Sequence, residues 1–344
     1  MKAIGFNAPG GPEVLTELEI STPKPSSNEV LIKLEMTSVN RLDTMVRNGV
    51  PGFTFNFPHI PGMDVLGRVE EIGADVKNFS KGDLVIANTV YGCGKCSYCK
   101  NNTEQLCPLW KCLGLHINGS YGEFIVLPER ILLKAPNGFS KAELASMPLH
   151  ASLAWNNIKK LGNAVEGETI LIRAASGSTG LFAIKFSKAL NLKIIAISGS
   201  VEKHDKLRSL GADLVLSSEL SKAELSKQIM SFTNTAGVDI IMESTGSKLG
   251  ESVELAAYNA RIISFGVLMS AESTLNIRRL YLRNITIHGT HNASKVAFDE
   301  AFEFASKKNI KPIIGKILDI QTASEAHKLL EERKVFGKIV LKHW

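Results

Sequence analysis

Four of the five cysteines lie close together, as Cys93-x2-Cys96-x2-Cys99-x7-Cys107. Thiolates at this spacing are typical of a tetrahedral Zn²⁺ site, and four of them leave no coordination position for water or substrate. Such a site stabilises a lobe of the chain and takes no part in chemistry. We therefore predict one structural zinc ion, with an iron–sulfur cluster or chance clustering as the alternatives. The fifth cysteine, Cys112, is predicted to pack as a small apolar residue.

A glycine-rich segment follows an apolar stretch and leads into a segment of helical length. Its sequence, Ala175-Ser176-Gly177-Ser178-Thr179-Gly180, matches the dinucleotide-binding pattern G-x-G-x-x-G with Ala in the first glycine position. Gly177 lets the backbone approach a pyrophosphate, and Gly180 allows close packing of helix on strand. The helix N-terminus supplies N–H groups for the phosphates. We predict a dinucleotide cofactor site here, with an ordinary strand-to-helix turn as the alternative.

The residue at the end of the next predicted strand bears on the choice of cofactor. An acid at this position would bind the ribose 2′-hydroxyl of NAD, but the chain has Ser198 there. A small hydroxyl leaves space for a 2′-phosphate, and Lys203 carries a charge that suits one. We therefore predict NADP in preference to NAD. Alternatively, Ser198 is a turn residue and Lys203 is a solvated charge on a helix.

The 344 residues form two regions with different sequence patterns, and these regions must position the groups described above. Up to about residue 150, short strand-like runs alternate with Gly and Pro; Val30, Ile32 and Leu34, for example, recur at every second position. This region predicts a small β-barrel. From about Ala151, helical segments alternate with continuous apolar strands, predicted at Thr169–Ala174, Lys193–Ile197, Leu214–Leu216, Val238–Met242, Arg261–Phe265 and Ile285–His288. Such alternation predicts an α/β fold, a parallel sheet covered on both faces.

Composition and charge exclude several classes of protein. The chain is 44% hydrophobic and 22% charged, which is typical of globular domains and not of disordered or disulfide-rich chains. The net charge of +6 comes from basic residues interleaved with acidic ones, so we expect no nucleic-acid partner. No apolar run approaches the roughly 20 residues of a membrane helix, so we expect no membrane partner. The N-terminus runs into a strand without a signal-peptide pattern, which predicts a cytoplasmic protein with reduced thiols.

Taken together, these features resemble the medium-chain dehydrogenase/reductase superfamily over essentially the whole chain. The resemblance implies a GroES-like β-barrel catalytic domain at 1–150 with a zinc lobe at about 90–112, a Rossmann NADP-binding domain at 151–289, and a C-terminal return to the catalytic domain at 290–344. It also implies a small-molecule substrate and a homo-oligomer, either a dimer or a tetramer. Further cofactor contacts implied at the pyrophosphate or the nicotinamide are Arg41, Ser244, Thr245, Gly266, Val267 and Lys338.

The catalytic zinc of the zinc-type alcohol dehydrogenases in this superfamily has no matching ligands here. The three ligand positions read Asn40, Met63 and Leu149, and only Asp64, beside the second, keeps the acidic character of its counterpart. An amide, a thioether and an alkyl side chain do not form a zinc site. We therefore predict that a catalytic zinc ion is absent.

The segment Val39–Gly49 is instead similar to the zinc-free quinone oxidoreductase branch, which implies that Asn40 and Asp43 lie beside the cofactor. We expect Asn40 to donate a hydrogen bond to a substrate carbonyl oxygen as negative charge builds during hydride addition. Alternatively, Asn40 caps a turn and Asp43 pairs with an arginine.

These inferences predict an NAD(P)H-dependent oxidoreductase that transfers hydride between nicotinamide and a small carbonyl, an activated alkene or a quinone. The first alternative is an alcohol dehydrogenase with a displaced catalytic zinc, held by Asp64 and two of His59, His116 and His150. The second is a catalytically silent NADP-binding protein that kept the fold and lost the chemistry.

Overall fold

The polypeptide leaves one structural unit at Leu149 and re-enters it at Ser294. In the computed structural model, which describes residues 1–344, the first unit comprises Met1–Leu149 and Ser294–Trp344. We call it the N/C domain. The second unit, His150–Ala293, is the central domain.

The strands in chain order are β1 (Lys2–Gly5), β2 (Thr16–Glu19), β3 (Glu29–Ser38), β4 (Leu66–Ile72), β5 (Leu84–Ala87), β6 (Val90–Tyr91), β7 (Lys111–Cys112), β8 (Phe124–Pro128), β9 (Leu132–Lys134), β10 (Thr169–Ile172), β11 (Lys193–Ser198), β12 (Leu214–Ser217), β13 (Val238–Glu243), β14 (Ala256–Ser264), β15 (Thr286–Gly289), β16 (Ile314–Asp319) and β17 (Lys338–Lys342). The helices are α1 (Arg41–Asn48), α2 (Ser97–Lys100), α3 (Lys141–Ala145), α4 (Pro148–Trp155), α5 (Ser178–Ala189), α6 (His204–Ser209), α7 (Lys222–Phe232), α8 (Leu249–Leu255), α9 (Ile277–Leu282), α10 (Lys295–Lys308) and α11 (Ala323–Glu331).

The main sheet of the N/C domain is completed by the C-terminal segment of the chain. Its strand order is β16-β17-β3-β4-β5-β9, and β8 also pairs with β3. β17 lies antiparallel to β3, with Val340 opposite Ser38. This pairing places Lys338, at the start of β17, beside the end of β3 and the start of α1.

Strand β3 follows the alternation expected from its sequence. Ile32 and Leu34 are buried and Lys33 between them is exposed. Its pairing with β4 is interrupted by register shifts between Leu31 and Ile32 and between Leu34 and Met36. Irregularities of this kind bend and twist a strand, which suits the curvature of a barrel-like sheet.

The central domain contains a six-stranded sheet in the order β12-β11-β10-β13-β14-β15. All five strand pairs are parallel, which confirms the parallel sheet predicted from the apolar strands. The strand order reverses between β10 and β13. Ligands of such sheets bind at the carboxyl ends of the strands at this switch point. The loops after β10 and β13 therefore form the candidate ligand edge.

Two strand boundaries differ from the prediction by more than one residue. β10 ends at Ile172, two residues before the predicted end, because Ala174 has the left-handed φ of 51°. β14 begins at Ala256, five residues before the predicted start at Arg261. Its first residues are small or polar and therefore carry no strand pattern in the sequence.

No helix in the structure combines the length and the apolar character needed to cross a bilayer.

Candidate active site and zinc lobe

The four clustered cysteines come together in one lobe of the N/C domain. Their Sγ atoms all lie within 4.8 Å of one another, with Cys96 and Cys99 at 3.6 Å and Cys93 and Cys99 at 4.0 Å. Four sulfurs bound tetrahedrally to Zn²⁺ at about 2.3 Å are about 3.8 Å apart, which matches these separations. The backbone N–H groups of Cys93 and Leu109 both donate to Cys107 Sγ at 3.3 Å. The donor set and its geometry fit a structural zinc ion.

Neighbouring residues hold the lobe in this shape. A Cβ atom on Gly92 would lie 2.5 Å from Cys99 Sγ, so only glycine allows the chain to pass this close to the cluster. Arg130 Nη2 donates to Gly92 O at 2.6 Å, and its guanidinium lies over the Tyr91 ring. Cys112 lies outside the cluster, buried in an apolar core as predicted.

The predicted dinucleotide loop follows β10 in the central domain and leads into α5. Gly177 precedes the helix in an extended conformation, and α5 begins at Ser178. A Cβ atom on Gly180 would lie 2.5 Å from Ala175 O, so glycine is required for this packing of helix on strand. The first-turn N–H groups of a helix have no intrahelical acceptor. The loop and helix N-terminus therefore fit a pyrophosphate group.

The structure brings Ser198 to this loop. Ser198 is buried at the end of β11, and its Oγ donates to Ser176 Oγ at 3.0 Å. The Ser200 N–H donates to Ser198 Oγ at 3.3 Å. Lys203 follows at the end of a short helical turn and is half-buried. The predicted ribose position thus lies beside the predicted dinucleotide loop, which we also call the phosphate loop, and carries a hydroxyl group in place of a carboxylate.

The four strand-end residues predicted at the nicotinamide lie on two loops of the central domain. Ser244 and Thr245 follow β13, while Gly266 and Val267 follow β14. Leu268 N donates to Ser244 O at 3.1 Å, which joins the two loops. A Cβ atom on Gly266 would lie 2.9 Å from Ser244 O, so the loops approach each other closely at a glycine. The two pairs therefore lie together at the carboxyl edge of the sheet.

Sequence reasoning missed two charged residues at the same edge. Glu243 is fully buried at the end of β13, and its Oε1 accepts hydrogen bonds from Thr245 N at 2.6 Å and Gly246 N at 3.2 Å. Arg173, directly after β10, pairs with Glu243 Oε2 at 2.9 Å. The available signal was a charged residue at the end of a mainly apolar strand.

Asn40 and Asp43, the residues predicted to act at the reaction site, lie buried at the start of α1 in the N/C domain. Asp43 Oδ2 accepts a hydrogen bond from Asn40 N at 2.8 Å. Burial raises the pKa of Asp43 to about 7, although the hydrogen bond from Asn40 N favours its charged form. Asn40 is the N-cap residue of α1, which agrees with the alternative prediction of a capping role.

The Asn40 side chain is fully hydrogen-bonded within the N/C domain. Its Nδ2 donates to Ser38 O at 3.2 Å and to Asp64 Oδ2 at 2.9 Å. Its Oδ1 accepts from Lys338 Nζ at 2.6 Å. Because an ammonium group is a donor only, this contact fixes which end of the amide is oxygen.

Lys338, predicted at the pyrophosphate, is buried and directs its ammonium group into this cluster. Nζ lies 3.3 Å from Val39 O and 3.5 Å from Asp64 Oδ2, in addition to Asn40 Oδ1. An ammonium group has three N–H donors, and these three acceptors match them. Burial lowers the pKa of Lys338, while the Asp64 carboxylate favours its charged form. The predicted pyrophosphate partner Arg41 is exposed at the first turn of α1.

The positions of a catalytic zinc do not fit the metal. Met63 and Leu149 are buried apolar side chains, and Asn40 is committed to Lys338 and Asp64. Asp64 Oδ1 accepts from the Leu149 N–H at 3.0 Å, while Oδ2 accepts from Ser38 Oγ and Asn40 Nδ2. An amide, a thioether and an alkyl group do not provide the thiolate, imidazole or carboxylate donors that zinc prefers.

The histidines considered for a displaced zinc site each have another partner. His59 Nε2 lies 2.9 Å from Gly114 O, and His116 Nδ1 accepts from Cys112 N at 3.1 Å. In the central domain, His150 Nδ1 lies 2.8 Å from Thr179 Oγ1. These contacts provide no second ligand set of the kind seen at Cys93–Cys107.

Comparison with known proteins places the chain in a family. Residues 26–137 match the family described as "Alcohol dehydrogenase GroES-like domain", and residues 178–307 match "Zinc-binding dehydrogenase". A protein from Sulfolobus acidocaldarius named NAD-dependent alcohol dehydrogenase is 30% identical, with 99% of each chain covered. A protein from Sulfurisphaera tokodaii named acryloyl-coenzyme A reductase is 26% identical, with 99% of this chain and 100% of the relative covered.

A solved structure described as an NAD-dependent alcohol dehydrogenase superposes with a TM-score of 0.93 at 33% identity, with 99% of each chain covered. The chain therefore belongs to the medium-chain dehydrogenase/reductase superfamily, as predicted. It is an NAD(P)H-dependent oxidoreductase with a GroES-like domain and a Rossmann domain, which confirms the predicted fold class.

Proposed function

We propose that the protein uses NAD(P)H to reduce an activated alkene, one in which the C=C bond is conjugated to a carbonyl group. The observation that carries this proposal is the combination of an intact dinucleotide loop with Asn40, Met63 and Leu149 at the three zinc-ligand positions. The relative named acryloyl-coenzyme A reductase supports the same class of substrate.

The chemistry of the acceptor explains the preference for an alkene. A bound nicotinamide cofactor supplies the hydride. Hydride addition to an aldehyde or ketone concentrates charge on one oxygen, and a Lewis acid or a proton donor then stabilises the alkoxide. Addition to the β-carbon of a conjugated alkene spreads the charge over an enolate, which hydrogen-bond donors alone can stabilise. A proton from water then adds to the α-carbon and completes the saturated product.

We propose Asn40 as one such donor to the substrate carbonyl oxygen. Asn40 Nδ2 donates two hydrogen bonds, and the one to Ser38 O is the longer at 3.2 Å. A substrate oxygen would therefore replace this hydrogen bond with the smaller loss of binding energy. Lys338 holds Asn40 Oδ1 and thereby keeps the Nδ2 end directed away from the ammonium group. Asp43 holds the Asn40 backbone N–H and acts as a positioning residue.

We propose NADP as the preferred cofactor, although one relative and one solved structure reported above are named NAD-dependent alcohol dehydrogenase. Support comes from Ser198, which provides a hydroxyl group where an NAD-specific site has a carboxylate. Lys203 would contact the 2′-phosphate. We assign the pyrophosphate to Ala175–Gly180 with Arg41 and Lys338, and the nicotinamide to Ser244, Thr245, Gly266 and Val267.

We propose one structural zinc ion per chain, supported by the sulfur separations at Cys93, Cys96, Cys99 and Cys107.

We also propose a cytoplasmic homo-oligomer. Four closely spaced thiols suit a reducing compartment. The edge strand β15 and the exposed apolar side chains Leu268, Met269, Tyr281 and Leu282 support association of the central domain with a second copy. Light scattering of the purified protein measures the number of chains.

The test is a screen of NADPH oxidation with conjugated enones, enals and enoyl thioesters against quinones and simple aldehydes. We expect the conjugated alkenes to be reduced fastest and the product to be saturated at the former C=C bond. The second candidate is a zinc-dependent alcohol dehydrogenase, favoured by the names of the relatives. Alcohol oxidation with two zinc ions per chain would support that candidate, and tight NADPH binding without any turnover would support a catalytically silent protein.

A further inference from the structure

Two buried opposite charges lie at the carboxyl ends of the neighbouring strands β10 and β13. The side chains of Arg173 and Glu243 are 4% and 0% exposed, and Arg173 Nε lies 2.9 Å from Glu243 Oε2. Replacing a buried ion pair by apolar residues often leaves a protein equally stable. Stability alone therefore does not account for this pair.

The Glu243 carboxylate holds the turn that follows β13. Its Oε1 accepts hydrogen bonds from Thr245 Oγ1 at 2.5 Å, Thr245 N at 2.6 Å and Gly246 N at 3.2 Å. The carbonyl oxygens of Ser244 and Thr245 accept in turn from Leu268 N at 3.1 Å and Met269 N at 3.0 Å. One carboxylate thus fixes the 244–246 turn, and that turn fixes the loop after β14.

Arg173 directly precedes the dinucleotide loop. The next residue, Ala174, has a left-handed φ of 51°, and Gly177 N donates to Ala174 O at 3.0 Å. The guanidinium group also contacts Ser252 Oγ at 3.0 Å through Nε, while its Nη2 donates to Glu251 Oε1 at 2.8 Å. A planar fork of donors satisfies several partners together, and the single ammonium group of lysine cannot reproduce this arrangement.

We propose that Arg173 is a positioning residue for the nicotinamide half of the cofactor. Through Glu243, it sets the place of the 244–246 turn relative to the phosphate loop. The inference rests on the proposed function in one respect, namely that the 244–246 turn contacts the nicotinamide. Arg173 itself need not touch the cofactor.

The test compares whole cofactors with their truncated forms. Equilibrium dissociation constants are measured by calorimetry for NADPH and NADH and for 2′-phospho-ADP-ribose and ADP-ribose, which lack the nicotinamide. In Arg173→Lys we expect about tenfold weaker binding of whichever whole cofactor the wild type prefers. The matching truncated ligand should change less than about twofold, because the phosphate loop keeps its glycines and its helix N-terminus.

A matched control exists in the same sheet. Arg261 Nη2 bonds both carboxylate oxygens of Glu168, at 2.7 and 2.9 Å, and Glu168 directly precedes β10. Arg261→Lys changes an ion pair of the same type at the opposite end of that strand. We expect it to leave the dissociation constants of both kinds of ligand unchanged.

If Arg173→Lys weakened the binding of whole and truncated ligands equally, the proposal would be overturned. It would also be overturned if the variant changed the dissociation constant of neither ligand. If Arg173→Lys does not fold, Ser252→Ala provides the same comparison, since Ser252 Oγ also donates to Glu243 Oε2 at 3.0 Å; a selective weakening of about threefold is then expected. A failure to reduce conjugated alkenes would reject the proposed substrate and leave this binding comparison intact. A wild type that binds neither kind of ligand would reject both proposals.

Discussion

The ammonium group of Lys338 lies 3.5 Å from the carboxylate of Asp64, and both side chains are almost completely buried. Asn40 bridges the pair, with Oδ1 on Lys338 and Nδ2 on Asp64. In the zinc-type alcohol dehydrogenases that the sequence resembles, the residue matching Asp64 lies beside a metal ion. In this chain the positive charge near that carboxylate belongs to the buried side chain of Lys338.

Removing the charge of Lys338 is therefore expected to destabilise the N/C domain. Lys338→Met leaves the buried Asp64 carboxylate without its cationic partner, which costs about 3–5 kcal/mol of unfolding free energy. Lys316→Met removes the charge of a more exposed pair, with Glu325 at 2.9 Å, and serves as the control. Urea denaturation measures both, and a loss below about 1 kcal/mol in Lys338→Met would show that the pair contributes little.

The buried Asp43 makes stability depend on pH. Because its pKa rises from 3.8 to about 7 on folding, mainly through burial, the folded state favours the protonated acid. The contribution of protonated Asp43 to the free energy of unfolding is therefore fully present below about pH 4 and is lost as the pH rises towards 7. Asp43→Asn cannot ionise, so we expect it to be more stable than the wild type at pH 8, by up to about 4 kcal/mol. Near pH 4 the difference should be small.

Urea denaturation at the two pH values measures this effect. Asp205→Asn is the control, because the Asp205 side chain is 96% exposed. A difference between Asp43→Asn and wild type that is the same at both pH values would contradict a raised pKa.

Loss of one cysteine should release the structural metal. Cys96→Ser removes one of four ligands, so we expect the zinc content to fall below one per chain and the melting temperature to drop. Cys112→Ala, outside the cluster, should retain the zinc. Elemental analysis and thermal melting are the measurements. A Cys96→Ser protein with unchanged zinc and unchanged melting would refute the assignment.

Cofactor preference should follow Ser198 and Lys203. A charge-assisted contact between Lys203 and the 2′-phosphate contributes about 1.5–3 kcal/mol, or about a ten- to hundredfold preference for NADPH. We expect Lys203→Ala to weaken NADPH binding and to leave NADH binding nearly unchanged. Ser198→Asp should invert the preference, because the new carboxylate repels the phosphate and accepts from the ribose hydroxyl. Dissociation constants at fixed moderate salt test this, and equal wild-type affinities would reject the NADP assignment.

Features that depend on local sequence were predictable here. Cysteine spacing located the metal lobe, because its ligands lie within Cys93–Cys107. Continuous apolar runs located the parallel strands, since burial on both faces requires them. The first half of β14 escaped prediction because Ala256, Ala257 and Asn259 show neither an apolar run nor an alternation.

Features that depend on distant residues were not predictable. Asn40 and Lys338 are 298 positions apart, and no local pattern pairs them. The same holds for Arg173 and Glu243, which meet only because β10 and β13 are neighbours in the sheet. Topology brings such charges together, and only the folded chain shows which of them are paired.

The central claim is hydride transfer to a conjugated alkene without a catalytic metal. The most direct measurement is the initial rate of NADPH oxidation with a conjugated enone, for protein whose zinc content per chain has been determined. We predict one zinc ion per chain and a rate that stays the same when a chelator removes any loosely bound metal. Two zinc ions per chain, with a rate that disappears and returns as one of them is removed and restored, would contradict the account.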